Sequence, residues 1–361
     1  MKAAVLRGIN VPMAIEDISI SKPQGREVLV RVAAVGLCHS DLHIIDGSFP
    51  NPLPAVLGHE VAGVVEQVGP EAHTVKPGDH VVVCLTFHCG HCEQCHSGHS
   101  HRCQTPEAQR AASEPSRLAI GDERLDQYLK IGGFAEQVLV HESGVVAVRR
   151  DVPFDKLCLI GCGVTTGFGA AVNTCGVRPG ETVAVIGLGG VGLAAVNGAA
   201  VAGAGRIIAI DRVASKLEMG KLFGATDTID ASSMDVAAVV KELTRGQGVH
   251  HAIEAVGSKA TIELSYRILG KGGRATVIGM TPPDLKIEIN AISLLREQGI
   301  QGSLMGGVRN SIDIPRYVDL YMAGKLKLDE LVSRTRPLSE INEGFEDMKK
   351  AEIARTVITF D

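Results

Sequence analysis

The chain has no tryptophan, and only eight phenylalanines and four tyrosines among 361 residues. So few rings leave little on which successive bases could stack, which argues against a nucleic-acid binder. Neither sign of charge dominates: 36 Lys and Arg against 41 Asp and Glu give a formal net charge of −5. With 45% apolar and 21% charged residues, the composition is that of a soluble globular chain and not of a disordered one. No apolar run approaches the ~20 residues of a membrane span, and Met1–Gly8 carries no stretch long enough for a secretory signal. The cytoplasm is therefore the expected compartment. Internal repeats and low-complexity tracts are also missing. Cysteine is present, at positions 38, 84, 89, 92, 95, 103, 158, 162 and 175. An odd, unevenly spaced set in a long chain without a signal favours metal or catalytic thiols over disulfides.

A chain of this length exceeds what one hydrophobic core usually holds, so two domains are expected. Up to about Gly163, short β-rich runs such as 27–32, 61–68 and 80–83 alternate with breakers such as Lys76-Pro77-Gly78-Asp79. This pattern predicts an antiparallel, barrel-like domain. After Gly180 strands and helices alternate: strands at 182–186, 206–210, 227–229, 250–255 and 274–278, and helices at 191–202, 216–223 and 261–269. That rhythm predicts a doubly wound parallel sheet, making the whole an α/β protein. A helix over 313–322 with Pro315 in its first turn and a strand over 356–360 close the chain, while the polar stretch 104–130 has no period and reads as an excursion or flexible loop.

Gly187-Leu188-Gly189-Gly190-Val191-Gly192 follows a predicted strand and opens a predicted helix. In that context the glycines let the backbone turn tightly against a pyrophosphate, whose charge sits at the helix N-terminus. Asp211 stands nineteen residues beyond Gly192, where an acid accepts hydrogen bonds from an adenosine ribose and repels a 2′-phosphate. NAD is thus preferred to NADP, although the neighbouring Arg212 weakens that preference.

Cys89, Cys92, Cys95 and Cys103 form a C-x2-C-x2-C-x7-C array. Four closely spaced thiolates suit a tetrahedral zinc ion with no open position, and hence a structural role. An iron–sulfur cluster also takes four cysteines, but with different spacings. His88, His91, His96, His99 and His101 crowd the same segment as competing donors.

Cys38-His39-Ser40-Asp41-Leu42-His43, Gly58-His59-Glu60 and Gly161-Cys162-Gly163-Val164-Thr165-Thr166-Gly167 remain. Taken singly, each cysteine or histidine could be a packed core residue. Together with the cysteine array, the Gly187–Gly192 turn and Asp211, they resemble the zinc-dependent medium-chain alcohol dehydrogenases along nearly the whole chain. Within that superfamily the similarity is greatest to bacterial aryl and aliphatic alcohol dehydrogenases and the thiol-adduct formaldehyde dehydrogenases.

The resemblance implies a GroES-like catalytic domain over 1–163, a Rossmann coenzyme domain over 164–303 and a return to the catalytic domain over 304–361. It also implies two zinc ions per subunit. Cys38, His59 and Cys162 would hold the catalytic ion, Glu60 would stand near it, and Asp41 would orient the ligand histidine. Ser40 and His43 would relay the alcohol proton. His39, where relatives often carry arginine, would touch the coenzyme together with Thr166, Lys216 and Arg355. Ser48, Phe49, Leu85, Phe134, Ile278 and Met280 would line a mostly apolar substrate pocket. The implied reaction converts R-CH2-OH and NAD+ to an aldehyde, NADH and a proton. The loop Gly47–Pro52 has no carboxylate to meet a peptide amine, which weakens a glutathione-adduct substrate while leaving another thiol carrier open. A non-catalytic NAD-binding protein is the alternative of another class. The stretch 299–304 resembles the edge strand through which relatives pair, so a homo-oligomer, dimer or tetramer, is expected.

Overall fold

The computed structural model describes all residues except 105–107, 109, 112, 351–354 and 361. The chain divides into two compact units. The first comprises Met1–Cys162, Arg309–Gly324 and Leu328–Asp361; the second comprises Gly163–Val308 and Lys325–Lys327.

Two sheets build the first unit. One holds six strands in the order Ala14–Asp17, Lys2–Leu6, Ala55–Val56, Glu123–Gln127, Leu118–Ile120 and Ser19–Ile20. The other runs Val145–Val148, His80–Val83, Glu60–Val68, Glu27–Gly36, Arg355–Thr359 and Val332–Pro337, with Gln137–His141 also paired to Glu27–Gly36. Glu27–Gly36 is the spine of this sheet. Its Val28, Val30, Val32 and Val35 are buried with Val61, Val65, Ile131 and Phe134 in one apolar core, as β-branched residues on a pleated, covered surface should be. Most pairings are antiparallel, but Ala55–Val56 with Glu123–Gln127 and Val332–Pro337 with Arg355–Thr359 are parallel.

In the second unit a six-stranded, wholly parallel sheet has the order Asp227–Asp230, Arg206–Asp211, Thr182–Ile186, Val249–Glu254, Leu269–Val277 and Gly299–Gly302. Thr182–Ile186 and Arg206–Asp211 carry the continuous apolar runs expected of strands covered by helices on both faces. The strand order reverses between Thr182–Ile186 and Val249–Glu254, and the crevice beyond the carboxyl ends at such a reversal is where doubly wound sheets take their ligands.

Two sequence expectations change. The stretch 104–130 is not a featureless excursion: Leu118–Ile120 and Glu123–Gln127 form an antiparallel pair. Its strands are short, and the charged residues of Glu123–Gln127 hid the alternation. The helical run Phe154–Cys175 has the length and composition of a membrane span, but 78% of its most apolar window is buried inside the protein. It is a core helix, broken by widened turns at Ile160–Val164 and Ala170–Cys175.

Candidate active site

The spine strand delivers Cys38 to the start of a short helix, His39–Ile45. Asp41, fully buried, turns back to accept the Cys38 backbone N–H at 3.3 Å. The same carboxylate accepts the Gly58 N–H at 2.9 Å and lies 3.2 Å from His59 Nδ1. One side chain therefore ties together two segments about twenty residues apart in sequence. Gly58 makes the turn with φ +88°, and a Cβ there would stand 2.6 Å from the Phe134 ring. Only glycine brings His59 to this place without strain.

With Nδ1 committed to Asp41, the His59 Nε2 lone pair is left for another partner, and none is present among the described residues although the atom is buried. Cys162 arrives from the widened turn at Ile160–Val164. Ligand atoms of Cys38, His59, Glu60 and Cys162 all lie within 4.8 Å of one another, and all four residues are buried. Two sulfurs, an imidazole and a carboxylate form a donor set suited to zinc, with three strong ligands and room for a fourth.

The electrostatics agree. The bond from Cys162, aided by His59 and Arg355, holds the Cys38 thiol well below its ordinary value against burial. Cys162 is pushed up, first by that same bond and then by burial. For His59, burial favours the neutral ring, but Asp41 and Cys38 outweigh it and raise the pKa. Burial pushes Glu60 up to about 8 despite Arg355. The Arg355 guanidinium lies 3.3 Å from Glu60 and donates to the Leu37 carbonyl at 2.8 Å.

The second thiol group has the dimensions of an ion cage. Sulfur separations are 3.6 Å for Cys92–Cys95 and Cys89–Cys103, 3.8 Å for Cys92–Cys103 and 4.0 Å for Cys89–Cys95. A tetrahedron with zinc–sulfur bonds of about 2.3 Å has edges near 3.8 Å. Backbone N–H groups of His91 and Cys92 point at the Cys89 sulfur, and that of Cys89 points at Cys103. The four cysteines form their own group, without any of the five neighbouring histidines, among the described residues.

In the second unit, Gly187–Gly192 links the strand Thr182–Ile186 to the helix Gly190–Val201. A side chain at Gly192 would collide with the Gly187 carbonyl, whereas one at Gly189 would meet only open space. That open ground before a helix N-terminus is what a pyrophosphate requires. Asp211 ends the next strand. Its Oδ2 accepts the Leu188 N–H at 2.7 Å, and its Oδ1 accepts those of Arg212 at 2.7 Å and Val213 at 3.0 Å. Lys216 is half-buried in the following helix, and Thr166 donates to the Met305 sulfur at 3.4 Å.

Ser40 Oγ lies 3.5 Å from the Cys38 sulfur. His43, three residues on, packs its ring 5.6 Å from Phe49 and has a buried Nδ1 without a hydrogen-bond partner among the described residues. His39 and Ser48 are exposed, and Leu85 is half-buried. Ile278 and Met280 belong to the second unit. Phe134 has no exposed surface and stacks edge-on to Phe345; it supports Gly58 from the core. Tyr128, absent from the sequence expectations, takes the place beside the cluster. Its ring is edge-on to His59 at 5.8 Å, and its hydroxyl donates to the Ser40 carbonyl at 3.2 Å. It lay in the stretch that showed no period, so no local signal marked it.

A buried group of candidate metal ligands with two sulfurs and an imidazole in one unit, and a glycine-rich turn from strand to helix in the other, fit one class: metal-dependent dehydrogenases that use a nicotinamide coenzyme. Comparison with known proteins supports this. Residues 24–150 match the alcohol dehydrogenase GroES-like domain, and residues 190–322 match the zinc-binding dehydrogenase domain. The chain is 38% identical to a probable S-(hydroxymethyl)glutathione dehydrogenase 1 of Schizosaccharomyces pombe, over 99% of this chain and 96% of that one. It is 39% identical to an NDMA-dependent alcohol dehydrogenase of Amycolatopsis methanolica, over 99% and 98%. The crystal structure of benzyl alcohol dehydrogenase from Acinetobacter calcoaceticus superposes with a TM-score of 0.94 at 34% identity, over 100% and 99% of the two chains. The protein belongs to the zinc-dependent medium-chain alcohol dehydrogenases and is an oxidoreductase.

Proposed function

We propose that this enzyme oxidises primary alcohols, aliphatic or aromatic, to aldehydes with NAD, using one catalytic and one structural zinc ion per subunit. The observation that carries the reading is the buried, unpartnered His59 Nε2 beside the Cys38 and Cys162 sulfurs. Cys38, His59 and Cys162 hold the catalytic ion, and the four-cysteine group holds the structural one. Bound zinc supplies Lewis acidity to the alcohol oxygen, and the nicotinamide ring accepts hydride.

The chain's own residues manage position and protons. Asp41 keeps the proton of His59 on Nδ1 and so leaves the Nε2 lone pair for the ion that this histidine would hold. The Ser40 hydroxyl accepts the alcohol proton as it releases its own toward His43. His43, one helical turn further on, carries it toward water, a step suited to an imidazole. Glu60, made easier to protonate by burial, serves as a neighbouring or transient ligand. Asp211 takes the adenosine ribose hydroxyls and excludes a 2′-phosphate, while His39, Thr166, Lys216 and Arg355 assist the coenzyme. Phe49, Leu85 and Ile278 offer apolar surface to the alcohol. The exposed Ile292, Leu294 and Leu295 near the edge strand Gly299–Gly302 support a homo-oligomer, since uncovered edges are usually paired. We place the enzyme in the cytoplasm.

The name of the fission-yeast relative favours a second reading, oxidation of a thiol adduct of formaldehyde. A panel of primary, secondary, aromatic and thiol-adduct alcohols, assayed with NAD and NADP alongside zinc analysis, separates the two. Turnover of simple primary alcohols with NAD and no thiol is expected. Turnover that requires a thiol would replace the substrate assignment, and a single zinc per subunit in a fully active enzyme would remove the catalytic metal.

A further inference from the structure

The strand Val249–Glu254 ends in a carboxyl group that the chemistry above leaves unused. Glu254 has no exposed surface. Its Oε1 accepts the Val256 N–H at 2.9 Å, the Gly257 N–H at 2.8 Å and the Thr261 hydroxyl at 2.7 Å. Its Oε2 has no hydrogen-bond partner among the described residues. The main-chain carbonyl of the same residue accepts the N–H groups of Ile278 at 2.8 Å and Gly279 at 3.0 Å. A single residue thus ties down two loops at the carboxyl ends of adjacent strands.

The loops interlock. Gly257 has φ +84°, and any side chain there would run into the Met280 carbonyl. Between Glu254 and Gly257 the chain holds up Val256, an apolar residue that is 50% exposed. Its Cγ2 sits 2.5 Å from where a Cβ on Gly187 would stand. Gly187 opens the glycine-rich turn, so Val256 is the wall beside the ground left clear for the coenzyme's phosphates.

We propose that Glu254 is a positioning residue for the coenzyme, fixing Val256 against Gly187 through the Val256 and Gly257 N–H groups and the Thr261 hydroxyl. The inference rests on reading Gly187–Gly192 as the dinucleotide site. An ionised carboxylate near a pyrophosphate would oppose binding. Burial raises the Glu254 pKa, against the pull of those three hydrogen bonds, which shifts the group toward the neutral acid. The neutral acid supplies the same acceptor without the repulsion, so glutamine is a functional replacement and alanine is not.

Because the chain has no tryptophan, the fluorescence of NADH itself reports binding without interference. Glu254→Ala is expected to raise the NADH Kd at least about tenfold and Glu254→Gln by no more than about threefold, the loss of an acceptor against its retention. Thr261→Val, nearly constant in volume, and Val256→Gly, on the surface, avoid any failure of the buried variant to fold. Each is expected to weaken NADH about fivefold, with the alcohol KM at saturating NAD unchanged and the thermal midpoint of the coenzyme-free protein lowered by no more than a few degrees. Wild-type NADH affinity in the folded Thr261→Val and Val256→Gly proteins would overturn the proposal, as would a Glu254→Gln protein as weak as Glu254→Ala. Wild-type protein that binds no NADH would instead remove the dinucleotide reading itself.

Discussion

Replacing Asp41 with alanine removes a carboxylate that holds the Cys38 N–H, the Gly58 N–H and the His59 ring in a place with no solvent exposure. Each buried donor left without a partner costs about 1–3 kcal/mol. The Cys38 bond, at 3.3 Å, contributes toward the low end, so a loss of roughly 3–6 kcal/mol of folding stability is expected. The ligand histidine also becomes free to rotate and change tautomer, and loss of such support typically costs 10–100-fold in metal affinity. Asp41→Asn retains one acceptor oxygen for Gly58 and His59 but turns an amide N–H toward Cys38, so its loss should be about a third as large, on the order of 1–2 kcal/mol. The assay is zinc content after equilibration with chelators of graded strength, paired with urea unfolding. The four-cysteine site lacks any Asp41 contact and is the internal control: alanine should release one zinc equivalent and retain the other. If Asp41→Ala keeps both ions at wild-type affinity and unfolds within about 1 kcal/mol of wild type, the assignment of Asp41 as the joint anchor of Cys38 and His59 is refuted.

Three other outcomes follow from the geometry. Cys103→Ser should lose the other zinc equivalent and lower the thermal midpoint while leaving kcat per folded molecule near wild type, read by metal analysis and calorimetry; full zinc content would contradict the cage. Asp211→Ser should shrink the NAD-over-NADP ratio of kcat/KM by about tenfold or more as repulsion of the 2′-phosphate disappears; an unchanged ratio would reassign discrimination elsewhere. Glu142, 2% exposed, is held down to about 2 against burial by Arg26, Thr74 and His73. Its folded pKa is below the unfolded value near 4.3, so its contribution of about 3 kcal/mol is complete above that value and is lost as pH falls toward 2. The stability gap between wild type and Glu142→Gln, followed by urea unfolding at stepped pH, should close over that window; a gap constant with pH would contradict the linkage.

Much of this architecture was legible locally. The apolar runs at 182–186 and 206–210 became central strands of a parallel sheet because burial on both faces demands such runs. The cysteine array announced itself because its four sulfurs lie within fifteen residues, so short-range geometry suffices to wrap an ion. The stretch 104–130 was illegible because Leu118–Ile120 and Glu123–Gln127 are short, pair through backbone groups, and leave the charged Glu123 and Arg124 exposed. Leu269–Val277 likewise starts five residues before the expected Arg274, since its glycines and charges read as a turn although Leu269 is already paired with Val249.

The amino-acid sequence alone determined which chemistries were available: sulfur and imidazole donors, a phosphate turn before a helix, and an acid one strand later. These depend on side-chain identity, φ preference and periods of a few residues. Tertiary structure decided which groups share a site. Sheet register and one widened helical turn bring Cys162 to Cys38 and His59, set Arg355 against Glu60, place Tyr128 beside His59, and set Val256 beside Gly187 of the glycine turn. Such contacts arise from packing between segments distant along the chain, and no local pattern encodes them.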